Sequence, residues 1–429
     1  MNLYIKLIIL CMFLQCLWHI VRSLIIFKKI KHYSINNINF KKFDGLLYIV
    51  IPCLLEQRII SNTIDNFVKA IEESKIKAQL LIVTTNKEKK LIDSDDTTYE
   101  VVKKKLATSS KYKNVKLLNY PAYSGMMAHQ LNFALQAIIK NNKNVDKKSY
   151  FAVYNADSNI TKQTLINMCK LCQTKSFPLI MQEYAAFFKN LKSLSPLMKG
   201  FAIFQTNFEF TNGFTNGFTN GFTNGILFSK FLRNHVVGHG LFIRLDYLQK
   251  IRGFTTDYWC EDIYLSFFLR SHDVKIYPIF AVEYGESPKN LKILMKQNAT
   301  WFKTLFENGK IYSDLVKKHI DRTSAFSYLI NQYRGAFAWL FLPTLYLAII
   351  FYLFLLGNWQ LGIIFLFSYI ATTTIRYWLS NRIVELLSHN TMQSKLYLAF
   401  LASFAYLISN IGPLYSLLNP KRKKYKTER

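Results

Sequence analysis

Apolar residues crowd both ends of this chain and leave a mixed middle between them, a distribution at odds with a simple soluble enzyme. Residues 7–27 form one apolar run, long enough at about 1.5 Å per residue to cross a bilayer. Lys28, Lys29, Lys31 and His32 follow it at once. A cleaved signal would have a shorter apolar core and a small-residue cleavage site, so residues 1–27 are expected to be an uncleaved anchor. The positive-inside rule then places residue 28 onward in the cytosol. Three further apolar stretches, 336–356, 360–379 and 396–418, come after residue 335, the first two joined tightly by Gly357, Asn358 and Trp359. The tail over 419–429 carries Lys421, Arg422, Lys423, Lys424 and Lys426, again a cytosolic signal. Three crossings after a cytosolic middle would leave that tail on the wrong side. One stretch is therefore expected to be re-entrant or interfacial, and 396–418, interrupted by Gly412-Pro413, is the one singled out.

The 55 Lys and Arg against 26 Asp and Glu give a net charge of +29, which asks for an anionic partner: nucleic acid, a phosphate-bearing ligand or an anionic membrane surface. No zinc finger, basic-aromatic strand motif or basic heptad helix supports nucleic acid, and the apolar ends favour the bilayer. Six cysteines in 429 residues make no disulfide framework. Cys169 and Cys172 form one C-x-x-C without a second pair, read as two buried positions one helical turn apart. Richness in Lys, Asn and Ile points to an AT-rich genome and a bacterial inner membrane, with the middle of the chain on the cytosolic side.

That middle, residues 45–310, alternates short β-rich runs with helical ones, the pattern of an α/β sheet. Strands are expected at Leu46–Ile51, Leu80–Val83, Val115–Leu118 and Tyr150–Tyr154, with helical periodicity through Ile59, Ile60, Ile64, Phe67, Val68 and Ile71. Open α/β sheets bind ligands beyond the carboxyl ends of their strands, so chemistry is sought just after Val50, Val83 and Tyr154. Residues 211–225 read TNGFTNGFTNGFTNG. Asn-Gly favours left-handed turns, and the expectation is a loose or turn-rich insertion whose copy number tunes a neighbouring site. Residues 311–335 are expected to be amphipathic or interfacial, ahead of a membrane region over 336–418.

Several clusters could carry chemistry. Asn155-Ala156-Asp157-Ser158 follows a strand end, where a carboxylate can hold a hard divalent ion, although these residue types also favour plain turns. Asp93-Ser94-Asp95-Asp96 is a rival acidic cluster that reads as a solvated loop. Gly238 and Gly240 flank His239, permitting close backbone approach to a ligand; His239 is either an acid–base group or a positioning one. Glu261 and Asp262 open an apolar helix, where acidic residues are also ordinary dipole partners. Gln297 and Trp301, four apart, share a helix face that suits a sugar or a core, with Lys292 and Lys296 nearby.

Taken in order, these pieces resemble membrane-bound glycosyltransferases of family 2, the polysaccharide synthases and ceramide glucosyltransferase-like enzymes. Ile49-Val50-Ile51-Pro52 with Glu56 looks like the family's opening strand, and Gly125, Leu131, Asn132, Ala134 and Leu135 match its G-x-x-x-x-x-L-N-x-A-L helix. Its DxD, glycine segment, TED and Q-x-x-R-W motifs are similar to Asn155-Ala156-Asp157, Gly238-His239-Gly240, Cys260-Glu261-Asp262 and Gln297 with Trp301. The resemblance covers about residues 45–305. It implies a GT-A (Rossmann-like) α/β catalytic domain and inverting transfer from a nucleotide-diphospho-sugar. Asp262, beside Glu261, would be the catalytic base. Pro52, Glu56, Thr85, Asn132, Asn155 and Asp157 would bind the donor, and Asp157 would hold Mg2+ or Mn2+. Gly238, His239, Gly240, Gln297 and Trp301 would bind the acceptor. Three departures stand out: Asn155 replaces the first DxD carboxylate, Thr84-Thr85-Asn86 replaces the base-reading aspartate, and Thr300 replaces the arginine, leaving Lys292 or Lys296 as substitutes. The expected product is a growing polysaccharide; the alternatives are single-sugar transfer to a lipid and a non-catalytic membrane scaffold.

Overall fold

The computed structural model describes residues 3–35, 43–92, 96–141, 146–222, 235–317, 321–388 and 395–420. The acidic cluster Asp93–Asp95 and the tail from Lys421 lie outside them. Seven strands form one mixed sheet: β1 (Leu47–Pro52), β2 (Ala78–Thr85), β3 (Val115–Tyr120), β4 (Tyr150–Val153), β5 (Ile180–Ala186), β6 (Leu241–Arg244) and β7 (Ile276–Tyr284), in the order β3-β2-β1-β4-β6-β5-β7. β6 alone runs antiparallel to its neighbours β4 and β5. The four strands expected from sequence are β1 to β4. They are runs of apolar residues because both faces of the sheet are covered. Leu47, Ile49 and Ile51 pack toward Ile64, Phe67 and Leu165, whereas Tyr48 and Val50 pack toward Leu131, Leu135 and Leu265.

The helices are α1 (Leu3–Ile35), α2 (Ile60–Ser74), α3 (Thr98–Leu106), α4 (Met127–Asn141), α5 (Lys162–Thr174), α6 (Pro196–Phe222), α7 (Leu245–Lys250), α8 (Glu261–Ser271), α9 (Leu291–Phe302), α10 (Leu305–Val316), α11 (Arg322–Leu355), α12 (Trp359–Ser388), α13 (Leu396–Leu407) and α14 (Ile411–Leu418). α2 and α5 cover one sheet face and α4 and α8 the other. Cys169 and Cys172 are buried on α5 as free thiols, and burial raises both, Cys172 to about 12.

α6 overturns one expectation. It continues unbroken through the first three repeat units to Phe222, where a turn-rich insertion was expected. A four-residue unit lies close enough to the 3.6-residue helical period to keep its aromatic position on a slowly drifting face. Residues 223–225 lie outside the described set.

Among the described residues, three segments are long and apolar enough to cross a membrane: Arg322–Leu355, Trp359–Ser388 and Leu396–Leu418. These C-terminal helices suggest membrane association. α11 and α12 form a hairpin closed as sequence suggests. Gly357, left-handed at φ 72°, lets its own N–H reach Phe354 O and that of Asn358 reach Leu353 O, both at 3.0 Å. The third segment is broken, but at 408–410 and not at Gly412-Pro413. Pro413 sits in the first turn of α14, where its missing N–H costs nothing. The end of α12 and all of α13 lie against the sheet domain, with Tyr377, Val384 and Ala399 buried among Tyr184, Ile203 and Val282. α1 is a continuous helix whose Met12 packs among Tyr346, Leu353 and Tyr369.

Candidate active site

The carboxyl ends of β1 and β2 are tied together before any ligand is considered. Gln130 on α4, almost wholly buried, donates from Nε2 to Cys53 O at 2.8 Å and to Val83 O at 2.6 Å. Beyond Pro52 the chain turns at Leu55, left-handed at φ 58°, and its N–H meets Glu88 Oε1 at 2.5 Å. Glu88 also accepts from Thr98 N at 2.7 Å and from Thr98 Oγ1 at 2.8 Å. Glu56 is buried, its N–H bonded to Thr98 Oγ1 at 3.0 Å. Thr85, the last residue of β2, caps the following turn through Lys87 N at 3.2 Å, and Lys87 Nζ reaches Gly125 O at 3.0 Å. Asn132 chelates the backbone of Phe254, donating to its O at 2.7 Å and accepting from its N at 2.8 Å. Its amide therefore fixes the Gly253 corner.

After β4 the turn Asn155–Ser158 closes on itself, Asn155 N donating to Ser158 Oγ at 3.0 Å and Ser158 N to Asn155 O at 3.1 Å. Ser158 Oγ in turn donates to Glu283 Oε1 on β7. Asp157 is buried; its Oδ2 accepts from Glu286 N at 3.4 Å and its carbonyl from Lys189 Nζ at 2.9 Å.

Asp262 stands in the first turn of α8, behind the N-cap Cys260. Its Oδ2 accepts the Gly238 N–H at 3.1 Å and its Oδ1 that of Ile263 at 2.8 Å. Glu261 lies beside it: a methyl built on Gly238 would stand 3.5 Å from both carboxylates, so glycine leaves that approach open. Gly240 is constrained harder, with φ 58° and Glu183 O only 2.6 Å from where a Cβ would be.

His239 faces inward. Nδ1 lies 2.9 Å from Glu283 Oε2 and Nε2 3.5 Å from Glu209 Oε1 on α6. Burial would push its pKa down, but the two carboxylates outweigh that and raise it well above the ordinary value. Glu183, fully buried, is pushed up to about 8 by burial and by Glu283, and accepts from Tyr154 Oη at 2.6 Å and Thr164 Oγ1 at 2.7 Å.

Gln297 and Trp301 share a face of α9 but differ in exposure. Trp301 is 41% exposed, whereas Gln297 Oε1 is buried with no hydrogen-bond partner. Thr300 bonds back to Lys296 O at 2.9 Å. α14 lies directly on α9, close enough that a Cβ on Gly412 would stand 2.3 Å from Asn298 Cβ.

The structure thus joins the Asp157 turn to the Asp262 carboxylate through Ser158, Glu283, His239 and Gly238. Gln182, Glu183, Glu209, Glu283 and Lys189 were not anticipated. The readable signal was a Gln-Glu pair inside β5 and a lone Glu inside β7, because charged residues within buried strands are rare unless partnered. Among the described residues no three His, Cys, Asp or Glu side chains gather into a metal-ligating group. The single carboxylate of the Asn155–Asp157 turn fits a hard cation completed by a ligand's phosphate oxygens, the usual way Mg2+ is held.

No protein-family model matches the sequence and no curated protein matches it either. Among solved structures, the chain is similar to a mannosyltransferase from Pyrobaculum calidifontis in complex with GDP-Man and Mn2+, at 14% identity and a TM-score of 0.52, over 96% of this chain and 100% of that one. At that identity the likeness carries the fold alone: a GT-A-like α/β domain, followed in this chain by long apolar C-terminal helices.

Proposed function

We propose that the chain is a membrane-embedded inverting glycosyltransferase, akin to family 2, that moves a sugar from a nucleotide-diphospho-sugar to an acceptor hydroxyl. The observation that carries this reading is Asp262, fixed by two backbone N–H groups in the first turn of α8 and linked through buried residues to the Asp157 turn. A carboxylate so held can take the acceptor's proton as its oxygen bonds to the anomeric carbon. The bond from that carbon to the diphosphate breaks on the opposite face, giving inversion. Glu261 borders the approach. Pro52, Glu56, Thr85 and Asn155 line the donor's end of the sheet, with Asn132 fixing the corner behind it. A Mg2+ or Mn2+ ion held by Asp157, when bound, would neutralise charge on the departing diphosphate. Gly238, Gly240, Gln297 and Trp301 would receive the acceptor.

The helices support an integral membrane protein, and the positive-inside rule gives its catalytic domain the cytosolic side. α1 would cross as an anchor and α11 and α12 as a hairpin whose far end exposes Phe351, Leu355, Trp359 and Ile364. α13 has 12 residues, about 18 Å at 1.5 Å per residue and short of a ~30 Å hydrocarbon core. With α14 returning to α9, the third segment reads as interfacial, which keeps the basic tail on the cytosolic side of a bacterial inner membrane.

A growing polysaccharide is the first product reading, served by helices beside the catalytic domain. The second, a single sugar placed on a lipid, is favoured by α14, whose exposed Leu414, Leu417 and Leu418 bring apolar surface to the helix that carries Trp301. Membranes carrying the protein should incorporate label from one member of a nucleotide-sugar panel. Asp262→Asn should lower incorporation at least ~1000-fold while nucleotide binding persists, an effect of the size seen when a reacting group is removed. Near-normal turnover by that variant sinks the base assignment, and product size separates polymer from glycolipid.

A further inference from the structure

Residues 236–240, which deliver the Gly238 N–H to Asp262, are held from behind by largely buried side chains. Gln182 on β5, fully buried, brackets Gly238: its Oε1 accepts the Val237 N–H at 3.1 Å and its Nε2 donates to His239 O at 2.6 Å. Glu183 N donates to Gly240 O at 2.7 Å. The His239 ring then bridges β7 and α6, with Glu283 2.9 Å from one nitrogen and Glu209 3.5 Å from the other. Glu209 Oε2 is buried and has no hydrogen-bond partner, so its contact with His239 is the polar link from α6 to this segment among the described residues. Val236 N is fixed separately to Ser266 Oγ on α8 at 3.0 Å.

We propose that the Glu209–His239–Glu283 bridge, with Gln182, is a positioning device that sets the Gly238 N–H against Asp262 and makes the geometry of that carboxylate depend on helix α6. His239, Glu209, Glu283 and Gln182 are positioning residues: none touches the reacting atoms. The bridge suits the task for three reasons. It is largely buried, with His239 and Glu209 only 13% and 11% exposed, so solvent competes little for its geometry. It joins three separate elements, β5, α6 and β7. And an imidazolium between two carboxylates donates from both ring nitrogens, fixing the ring at both ends. The charged groups facing the ring are Glu283 from β7, Glu209 from α6 and Glu183 from β5.

The device rests on the reading of Asp262 as the base for its catalytic consequence, but its geometry is testable without turnover. Amide hydrogen exchange at Gly238, measured on the full chain in lipid nanodiscs, reports whether that N–H stays on the Asp262 carboxylate. His239→Gln and Glu209→Gln should each speed Gly238 exchange about tenfold. They should also lower kcat by on the order of 10- to 100-fold with the donor KM unchanged. Glu209→Gln keeps an acceptor on α6 and is the variant to rely on if His239→Gln does not fold. Unchanged Gly238 exchange in the folded variants, with Asp262→Ala speeding it, overturns the proposal and leaves the base assignment intact. Faster exchange in both, with no transfer by the wild type from any donor, upholds the positioning device and removes the glycosyltransferase reading.

Discussion

Up to Ser158, every buried side-chain nitrogen or oxygen among the described residues has a hydrogen-bond partner, whereas beyond it several do not: Asn207 Oδ1, Gln297 Oε1 and both amide atoms of Asn308 and Asn381. The first half of the domain, β1 to β4 with α2 to α4, is closed by its own side chains, as Gln130, Glu88 and Asn132 show. The second half holds α6, α9 and the apolar helices together around polar atoms that protein groups do not satisfy. Buried polar atoms are rarely left that way. The contrast separates a first half closed by its own side chains from a second half in which several buried polar atoms are not paired within the protein.

That contrast can be broken by mutation. The largest effect should come from the first half: Glu88→Ala removes the acceptor for Leu55 N and Thr98 N, and each stranded N–H costs about 1–3 kcal/mol. The solubilised protein should lose several degrees of Tm, and an unchanged melting curve would remove Glu88 from the scaffold. Asp157→Ala comes next, expected to cut donor turnover on the order of 100-fold while the fold persists; full activity without metal would end its assignment. Gly412→Leu should push α14 off Asn298, costing about 1–3 kcal/mol from overpacking and raising the acceptor KM more than the donor KM. Smallest in stability is Gln297→Met, within about 1 kcal/mol because it removes an unpartnered oxygen. Its acceptor KM should still rise severalfold, and no change in KM would mean that Gln297 is merely packed.

Protonation should sort the halves as well. Glu183 and His239 both have folded pKa values above their ordinary ones, Glu183 near 8. The folded state then binds more protons than the unfolded, so stability is fully present below pH ~4.5 for Glu183 and below ~6.5 for His239. It falls as pH rises through the folded values. Asp65 runs the other way. Burial would raise it, but hydrogen bonds from Lys105, Tyr112 and Lys111 lower it to about 2, so its contribution is present above pH ~3.8 and lost toward 2. Thermal melts from pH 5 to 9 should decline, and Glu183→Gln should flatten part of that decline. A flat wild-type profile would refute the buried acid.

Much of this was legible from residues, for physical reasons. β1 to β4 are short apolar runs ending at turn formers, so Leu47–Pro52 and Tyr150–Val153 were readable to within a residue. Glu261 and Asp262 were expected to open a helix and do. What the sequence hid is long-range. Glu209, Glu283 and Gln182 meet His239 only because β6 inserts antiparallel between β4 and β5, which no local periodicity encodes. The inward turn of His239 was hidden for the same reason. The helix through the first repeats was missed because Asn-Gly speaks for a turn locally, while the four-residue period speaks for a helix only over several units.

α6 has one more consequence. In a helix each TNGF unit adds four residues, hence about 6 Å of length and about 40° of rotation beyond one full turn. Glu209 lies upstream of the first unit and Phe222 ends the helix downstream. Gain or loss of a unit within that helix would leave Glu209 and its His239 contact where they are and shift the downstream end of α6 along a screw thread, in fixed steps of advance and twist.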